Sequence, residues 1–337
     1  MPGTVVGMTS SPHSAVPAIE ADGLVKLFGK QRAVDGVSLA VPQGTVYGVL
    51  GPNGAGKTTT VRMLATLLRP DGGRARVFGH DVVAEPNAVR SLVGVTGQYA
   101  SVDEDLSATE NLMIFSRLLG LSGRDAKRKS TELLEEFGLT EAADKPLKNF
   151  SGGMRRRLDL AASLISHPPL LFLDEPTTGL DPRTRAQMWD TIRRLVADGS
   201  TVLLTTQYLD EADQLADRIA VIDRGRVIAD GTANELKASV GTSSLGLVLV
   251  DRTDTERARV ILSGFLGVEV SVTPEAGGLT APLTDASITP ELLIRLRDEG
   301  IAVDEITVQK PSLDEVFLTI TGHDAPGDTT EPERSIA

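Results

Sequence analysis

Between Ala18 and Thr232, short runs of β-branched and aliphatic residues alternate with stretches whose apolar positions recur at helical spacing. That alternation predicts an α/β domain in which helices cover a largely parallel sheet. The expected strands are Ile19–Leu24, Thr45–Leu50, Val93–Thr96, Leu170–Leu173, Thr201–Thr205 and Arg218–Asp223. Over Ser107–Gly138 the pattern changes: Leu112, Phe115, Leu118 and Leu119, then Leu133, Leu134 and Phe137, lie at helical spacing between clusters of charge. This reads as a helical insertion within a subdomain of about residues 100–165. From Ser244 to Gly322 the order is strand (Leu245–Val250), helix (Glu256–Leu266), strand (Val268–Val272), strand (Gly278–Leu283), helix (Pro290–Glu299), strand (Ala302–Val308). Such a β-α-β-β-α-β order predicts a small α+β, ferredoxin-like accessory domain. A last helix, Leu313–Ile320, follows Ser312, which with Glu315 has the spacing of a capping box.

A chain of 337 residues exceeds what one hydrophobic core usually serves, which agrees with two domains, 18–232 and 233–322. There is no cysteine, so disulfides and thiolate metal sites are excluded. The formal charge is −12, from 34 Lys and Arg against 46 Asp and Glu. An acidic chain is a poor binder of nucleic acid, whose capture rests on cationic side chains neutralising phosphates. The acid is uneven, however: residues 1–232 hold 26 basic and 28 acidic side chains, residues 233–322 hold 7 and 14, and residues 323–337 hold 1 and 4. A near-neutral first domain can meet a polyphosphate or an anionic membrane face through local groups. The longest uncharged stretch, Gly36–Gly56, carries six glycines and two prolines and so fails as a bilayer span. Residues 1–17 lack the basic start and apolar run of a secretory signal and are expected to form a disordered leader. The acidic, Pro- and Gly-containing stretch 323–337 is expected to be a disordered tail.

Two motifs carry chemistry. Gly51-Pro52-Asn53-Gly54-Ala55-Gly56-Lys57-Thr58 fits G-x-x-x-x-G-K-[ST] and sits between an apolar strand and a helical run, the context this phosphate loop requires. Its glycines let successive N–H groups and the helix N-terminus face phosphate, with Lys57 reaching the β/γ-phosphates and the Thr58 hydroxyl ligating Mg²⁺. The second is Leu170-Leu171-Phe172-Leu173-Asp174-Glu175-Pro176, an apolar strand ending in adjacent carboxylates. Two carboxylates after four apolar residues call for a cation. Asp174 is the candidate for the metal, and Glu175 for polarising the attacking water, because side chains alternate along a strand. Between them, Ser151-Gly152-Gly153-Met154 opens a helical run with a hydroxyl and bare N–H groups suited to a further phosphate contact. Arg155, Arg156 and Arg157 follow directly and read as a solvated face.

With these motifs in this order, the chain resembles the nucleotide-binding subunit of an ATP-binding-cassette (ABC) transporter over Ala18–Thr232. The resemblance implies that Gly51–Thr59 is the Walker A loop and that Phe28 stacks on adenine. Gln98 becomes the Q-loop residue and a metal ligand beside Thr58 and Asp174. It also implies that Ser151–Met154 is the signature that meets ATP on a second copy, and that Asp181, in Gly179-Leu180-Asp181-Pro182, belongs to the D-loop. One position departs from the pattern: after Thr201–Thr205, where a γ-phosphate-sensing His is usual, this chain has Thr206-Gln207-Tyr208. Gln207 can donate an N–H there but cannot carry a proton, so Glu175 is left as the general base.

Thr205–Asp217, Phe150–Met154 and the late Pro311-Ser312-Leu313-Asp314-Glu315-Val316-Phe317 narrow the likeness to the daunorubicin/doxorubicin-resistance ATP-binding subunits. That resemblance implies an ATPase, using ATP and Mg²⁺, that works as a homodimer with a separately encoded membrane permease. It would sit peripherally on the cytoplasmic face of the membrane and power efflux of an anthracycline-like drug or a lipid. A soluble ABC ATPase not coupled to transport and a P-loop kinase are the rival readings. The accessory domain carries no motif for chemistry. Its Leu313–Phe317 segment is expected to pack on a partner subunit, with homodimer stabilisation or regulation as its role.

Overall fold

A computed structural model describes residues 16–97, 102–240, 243–273, 278–309 and 311–321. The expected leader and tail, save residues 16 and 17, and Gln98 lie outside the described residues. The chain divides into two compact units, Met1–Ile228 and Ala229–Ala337, and one strand runs across the division.

In chain order the first unit contains β1 (Ile19–Phe28), β2 (Gln31–Val41), β3 (Val46–Leu50), α1 (Lys57–Leu64), β4 (Gly72–Val77) and β5 (His80–Asp81). There follow α2 (Pro86–Leu92), β6 (Val93–Thr96), α3 (Ala108–Leu118), α4 (Gly123–Glu136), α5 (Gly152–Ser163) and β7 (Leu170–Asp174). It continues with α6 (Pro182–Ala197), β8 (Thr201–Thr206), α7 (Leu209–Leu215), β9 (Arg218–Asp223) and β10 (Arg226–Gly231).

A six-stranded sheet in the order β10-β9-β3-β8-β7-β6 forms the centre, with the pairs from β9 to β6 parallel. β3, β7 and β8 are buried at every position, as strands covered on both faces must be. Because side chains alternate, Leu170 and Phe172 enter one core while Leu171 and Leu173 enter the other. The first core is closed by a sheet that the parallel-sheet expectation left out. Ile19–Leu24 is there, but extended to Phe28, and it pairs antiparallel with β2 and β4 in the order β2-β1-β4-β5. β1 starts with alternating buried and exposed residues, the signature of a strand with one wet face.

The second core is closed by helices. α3 begins with a complete capping box, Ser107 with Glu110, and α4 is capped by Ser122. Leu112, Leu133, Leu134 and Phe137 are buried, whereas Leu118 is 77 % and Leu119 is 54 % exposed. The helical spacing therefore marked two different faces.

The second unit comprises α8 (Ala233–Val240), β11 (Ser243–Leu249), α9 (Thr255–Leu266), β12 (Ser271–Thr273), β13 (Gly278–Leu283), α10 (Thr289–Asp298), β14 (Val303–Gln309) and α11 (Leu313–Thr321). Its sheet is antiparallel in the order β12-β13-β11-β14. Leu245, Leu247, Leu249, Leu279, Ala281 and Leu283 meet α9 and α10 through Ala258, Leu262, Leu292 and Leu296. The Leu313–Phe317 segment departs from its expected role on a partner. Leu313, Val316 and Phe317 are at most 3 % exposed, and α11 packs against α8 of its own unit. Three apolar residues spaced along one helical face have already found a core.

Candidate functional site

Parallel pairing puts the ends of β7, β8 and β3 side by side, so the loops that follow them converge at one edge of the sheet. In register, Asp174 faces Thr205 and Leu50 faces Thr206. Every functional side chain of the central cluster follows from that alignment.

The loop after β3 wraps tightly. A Cβ on Gly51 would stand 2.2 Å from the Ile222 carbonyl oxygen, and one on Gly56, at φ 106°, 2.5 Å from that of Ala33. Only glycine fits either place. α1 then starts at Lys57, leaving the N–H groups of its first turn, which includes Thr58 and Thr59, without intrahelical carbonyls. The buried Lys57 Nζ donates to the carbonyls of Gly51 at 2.7 Å and Pro52 at 3.1 Å, and lies 3.7 Å from Glu175 Oε1. Burial pulls the ammonium below its ordinary pKa, while Glu175 and Asp174 oppose that loss of charge.

The two adjacent carboxylates separate as alternation requires. Asp174 Oδ1 accepts from Thr58 Oγ1 at 3.1 Å and from Thr205 Oγ1 at 2.5 Å. Glu175 turns toward Lys57, and its Oε2 accepts from Thr178 Oγ1 at 3.3 Å. Glu175 adopts φ 49°, an uncommon conformation for a residue with a side chain, held by its N–H on the Thr205 carbonyl and hydroxyl, both at 3.1 Å. Thr58 and Asp174 present oxygen donors at one point, which fits a hard cation such as Mg²⁺. Among the described residues no three His, Cys, Asp or Glu gather as a metal cage.

The remaining candidates surround this cluster. Phe28 ends β1 and is 52 % exposed, available for stacking, and Lys26 Nζ lies 5.9 Å from its ring centroid. Ser151 caps α5, accepting from Met154 N at 3.3 Å, while Gly152 is exposed and Gly153 and Met154 are half-buried. Gly152 and Glu175 line the same cavity of about 460 Å³, together with Arg155, Arg156, Thr178 and Gly179. Asp181 caps α6 through Thr184 N at 3.0 Å and Thr184 Oγ1 at 2.6 Å, bonds that hold its carboxyl below the usual range. Gln207 is half-buried directly after β8.

The arginine triplet is not a solvated face. Arg156 donates from Nε to the Pro176 carbonyl at 3.0 Å, and from its two terminal nitrogens to the carbonyls of Gly97 and Asp174, both at 2.6 Å. Arg155 reaches Glu104 at 2.5 Å and Arg157 reaches the Phe137 carbonyl at 3.0 Å. Successive helix residues do diverge, but each direction leads to a carbonyl or carboxylate of a neighbouring segment. Arg156, expected on a solvated face, lies instead beside the site, and Thr205 and the buried Glu211 are residues near it that no motif marked for a role. Thr205 alone had a signal, as the residue two places before Gln207 on a buried strand.

A family model described as ABC transporter matches residues 34–178, and one described as the C-terminal domain of DrrA1-3-like ATP-binding proteins matches residues 231–321. The chain is 58 % identical to the daunorubicin/doxorubicin resistance ATP-binding protein DrrA of Streptomyces peucetius, over 93 % of this chain and 95 % of that one. It is 45 % identical to the doxorubicin resistance ATP-binding protein DrrA of Mycobacterium tuberculosis strain H37Rv, over 90 % and 93 % respectively. Among solved structures, the ATP-binding subunit of an ABC transporter superposes with a TM-score of 0.60 at 27 % identity, covering 66 % of this chain and 92 % of that one. The chain therefore belongs to the ATP-binding subunits of ABC transporters, within the daunorubicin/doxorubicin-resistance group, and is an ATPase.

Proposed function

We propose that this ATPase hydrolyses ATP at the Lys57–Asp174–Glu175 cluster and thereby drives export of an amphipathic drug, anthracycline-like, or a lipid through a separate permease. The observation that carries the reading is the buried Lys57–Glu175 pair beside the Thr58–Asp174 hydrogen bond. Gly51–Thr59 binds the phosphates, and Lys57 holds the β/γ oxygens. A phosphate oxygen arriving at Nζ competes with Glu175 for the ammonium, which frees the carboxylate to take a proton from water. Thr58 and Asp174, with Gln98, would hold Mg²⁺, which supplies neutralisation of charge on the phosphoryl oxygens. Phe28 stacks on adenine, and Gln207 donates to the γ-phosphate.

Two copies close on two nucleotides, so that Ser151, Gly152, Gly153 and Met154 of one meet the ATP on the other, with Asp181 beside the junction. No helix among the described residues is long and apolar enough to cross a membrane. We assign the permease to another chain, with this subunit held peripherally on its cytoplasmic side. The S. peucetius relative is named for daunorubicin/doxorubicin resistance and the M. tuberculosis relative for doxorubicin resistance, which supports a drug of that kind as cargo.

The test is Glu175→Gln in cells co-expressing the chain with its permease. The variant should bind ATP, hydrolyse it about 10²–10⁴-fold more slowly, and lose exclusion of an anthracycline. Normal hydrolysis would place the base elsewhere. Normal hydrolysis by the unmutated chain without drug exclusion would detach the ATPase from that cargo.

A further inference from the structure

Glu211, the third residue of α7, is fully buried, and no step above uses it. Its Oε1 accepts from Thr177 Oγ1 at 2.8 Å and from Trp189 Nε1 at 3.2 Å. Oε2 is enclosed without a hydrogen bond of good geometry, although the Thr206 hydroxyl lies close enough to favour its charge. Burial still dominates and pushes the carboxyl above its ordinary pKa. An aliphatic side chain would fill this volume without the desolvation of a carboxyl. Something other than packing density accounts for the acid.

Its neighbours indicate what. Thr177 lies two residues after Glu175, in the segment that follows β7. Trp189 lies on α6, the helix capped by Asp181. Thr206 directly precedes Gln207, and its hydroxyl accepts from Tyr208 N at 2.9 Å. On the far side of Gln207, the Tyr208 ring is covered by the Arg185 guanidinium at 4.9 Å, and Arg185 also belongs to α6. The Tyr208 flank of Gln207 is thus covered from α6, and the Glu211 carboxyl, four residues beyond Gln207, joins α6 to the segment bearing Glu175.

We propose that Glu211 is a positioning residue that holds Gln207 in register with Glu175 and transmits movement of the Gln207 loop to α6. This rests on the reading of Gln207 as the γ-phosphate donor. Nucleotide engagement at Gln207 displaces the Thr206–Tyr208 segment, and the displacement reaches Trp189 through the shared carboxyl. Trp189 is the chain's single tryptophan, so its emission reports on this one site.

The full-length chain with Mg²⁺ and ATP provides the test. Glu211→Ala should lower kcat about ten-fold with KM for ATP within about two-fold, and Thr177→Val about three-fold in the same direction. Glu211→Gln keeps an acceptor oxygen for Thr177 and Trp189 and should recover most of kcat. ATP should shift Trp189 emission in the unmutated chain and in Glu211→Gln, but not in Glu211→Ala. If Glu211→Ala does not fold, Thr177→Val carries the kcat comparison. A lowered Tm with normal kcat and a normal emission shift in Glu211→Ala or Thr177→Val would overturn the proposal. Gln207→Ala separates the two levels: if it leaves kcat unchanged, the reading of Gln207 fails and this inference falls with it. If Gln207→Ala loses kcat while Glu211→Ala retains it, only the role of Glu211 fails.

Discussion

Arg156 illustrates how one side chain sets the geometry of several loops. Its guanidinium bonds to the carbonyls of Gly97, Asp174 and Pro176, which lie just before Gln98 and on either side of Glu175. Burial lowers its pKa, yet Asp159, Asp174, Glu211 and Glu175 all favour its charge. Removing it leaves several polar oxygens short of donors, and each buried loss costs about 1–3 kcal/mol. Arg156→Ala should therefore destabilise the first unit by about 3 kcal/mol and require more Mg²⁺ for half-maximal hydrolysis. Arg156→Lys should recover little of either, because a point charge cannot reproduce a planar fork. Urea melts and a Mg²⁺ titration check both, and full rescue by lysine would mean that charge alone suffices. Gln207 differs in kind: it stands directly after β8, where its amide can donate an N–H but cannot carry a proton.

Helices α5 and α6 meet at their first turns. A Cβ on Gly153 would stand 2.5 Å from Thr184 Cγ2, and the Thr184 hydroxyl is already committed to Asp181 at 2.6 Å. The glycine is thus required by a neighbouring helix. Gly153→Ala should force Thr184 off its rotamer, at a cost of about 1 kcal/mol, and lower Tm by about 2–4 °C. Thr184→Ser removes the obstructing methyl while keeping the hydroxyl, so adding it to Gly153→Ala should restore Tm in a thermal melt. Failure of that rescue would show that Gly153 is constrained by something other than Thr184. Through this contact, the turn that carries Ser151 is packed against the one that carries Asp181.

The two units have separate cores, and the excess of acidic over basic side chains falls mainly in residues 233–337. Because α11 is spent on α8, the second unit does not offer Leu313, Val316 or Phe317 to a partner. Any contribution to dimerisation must come from its exposed surface. Truncation after Thr232 should leave ATP affinity within about two-fold and weaken ATP-driven association of Glu175→Gln chains on a sizing column. Unchanged association would remove dimer stabilisation from the roles of residues 233–337. Near-neutrality of residues 1–232 leaves that part able to approach polyphosphate without a large opposing field.

What the sequence determined by itself was the chemistry that depends on local spacing. A phosphate loop, a strand ending in Asp174-Glu175 and a capped Ser-Gly-Gly turn are each written in consecutive residues, and periodicity suffices for strands buried on both faces. The β-α-β-β-α-β order was legible for the same reason. The antiparallel sheet escaped because β2 and β4 hold Arg, Asp and Gly on a wet face, and only long-range pairing with β1 makes them strands. Arg156, Thr205 and Glu211 escaped because their partners lie 18 to 59, 31 and 22 to 34 residues away. Composition cannot show which carbonyl a buried guanidinium will meet. Tertiary structure decided it, since a buried polar group must take whatever partner the packed neighbouring elements bring within reach.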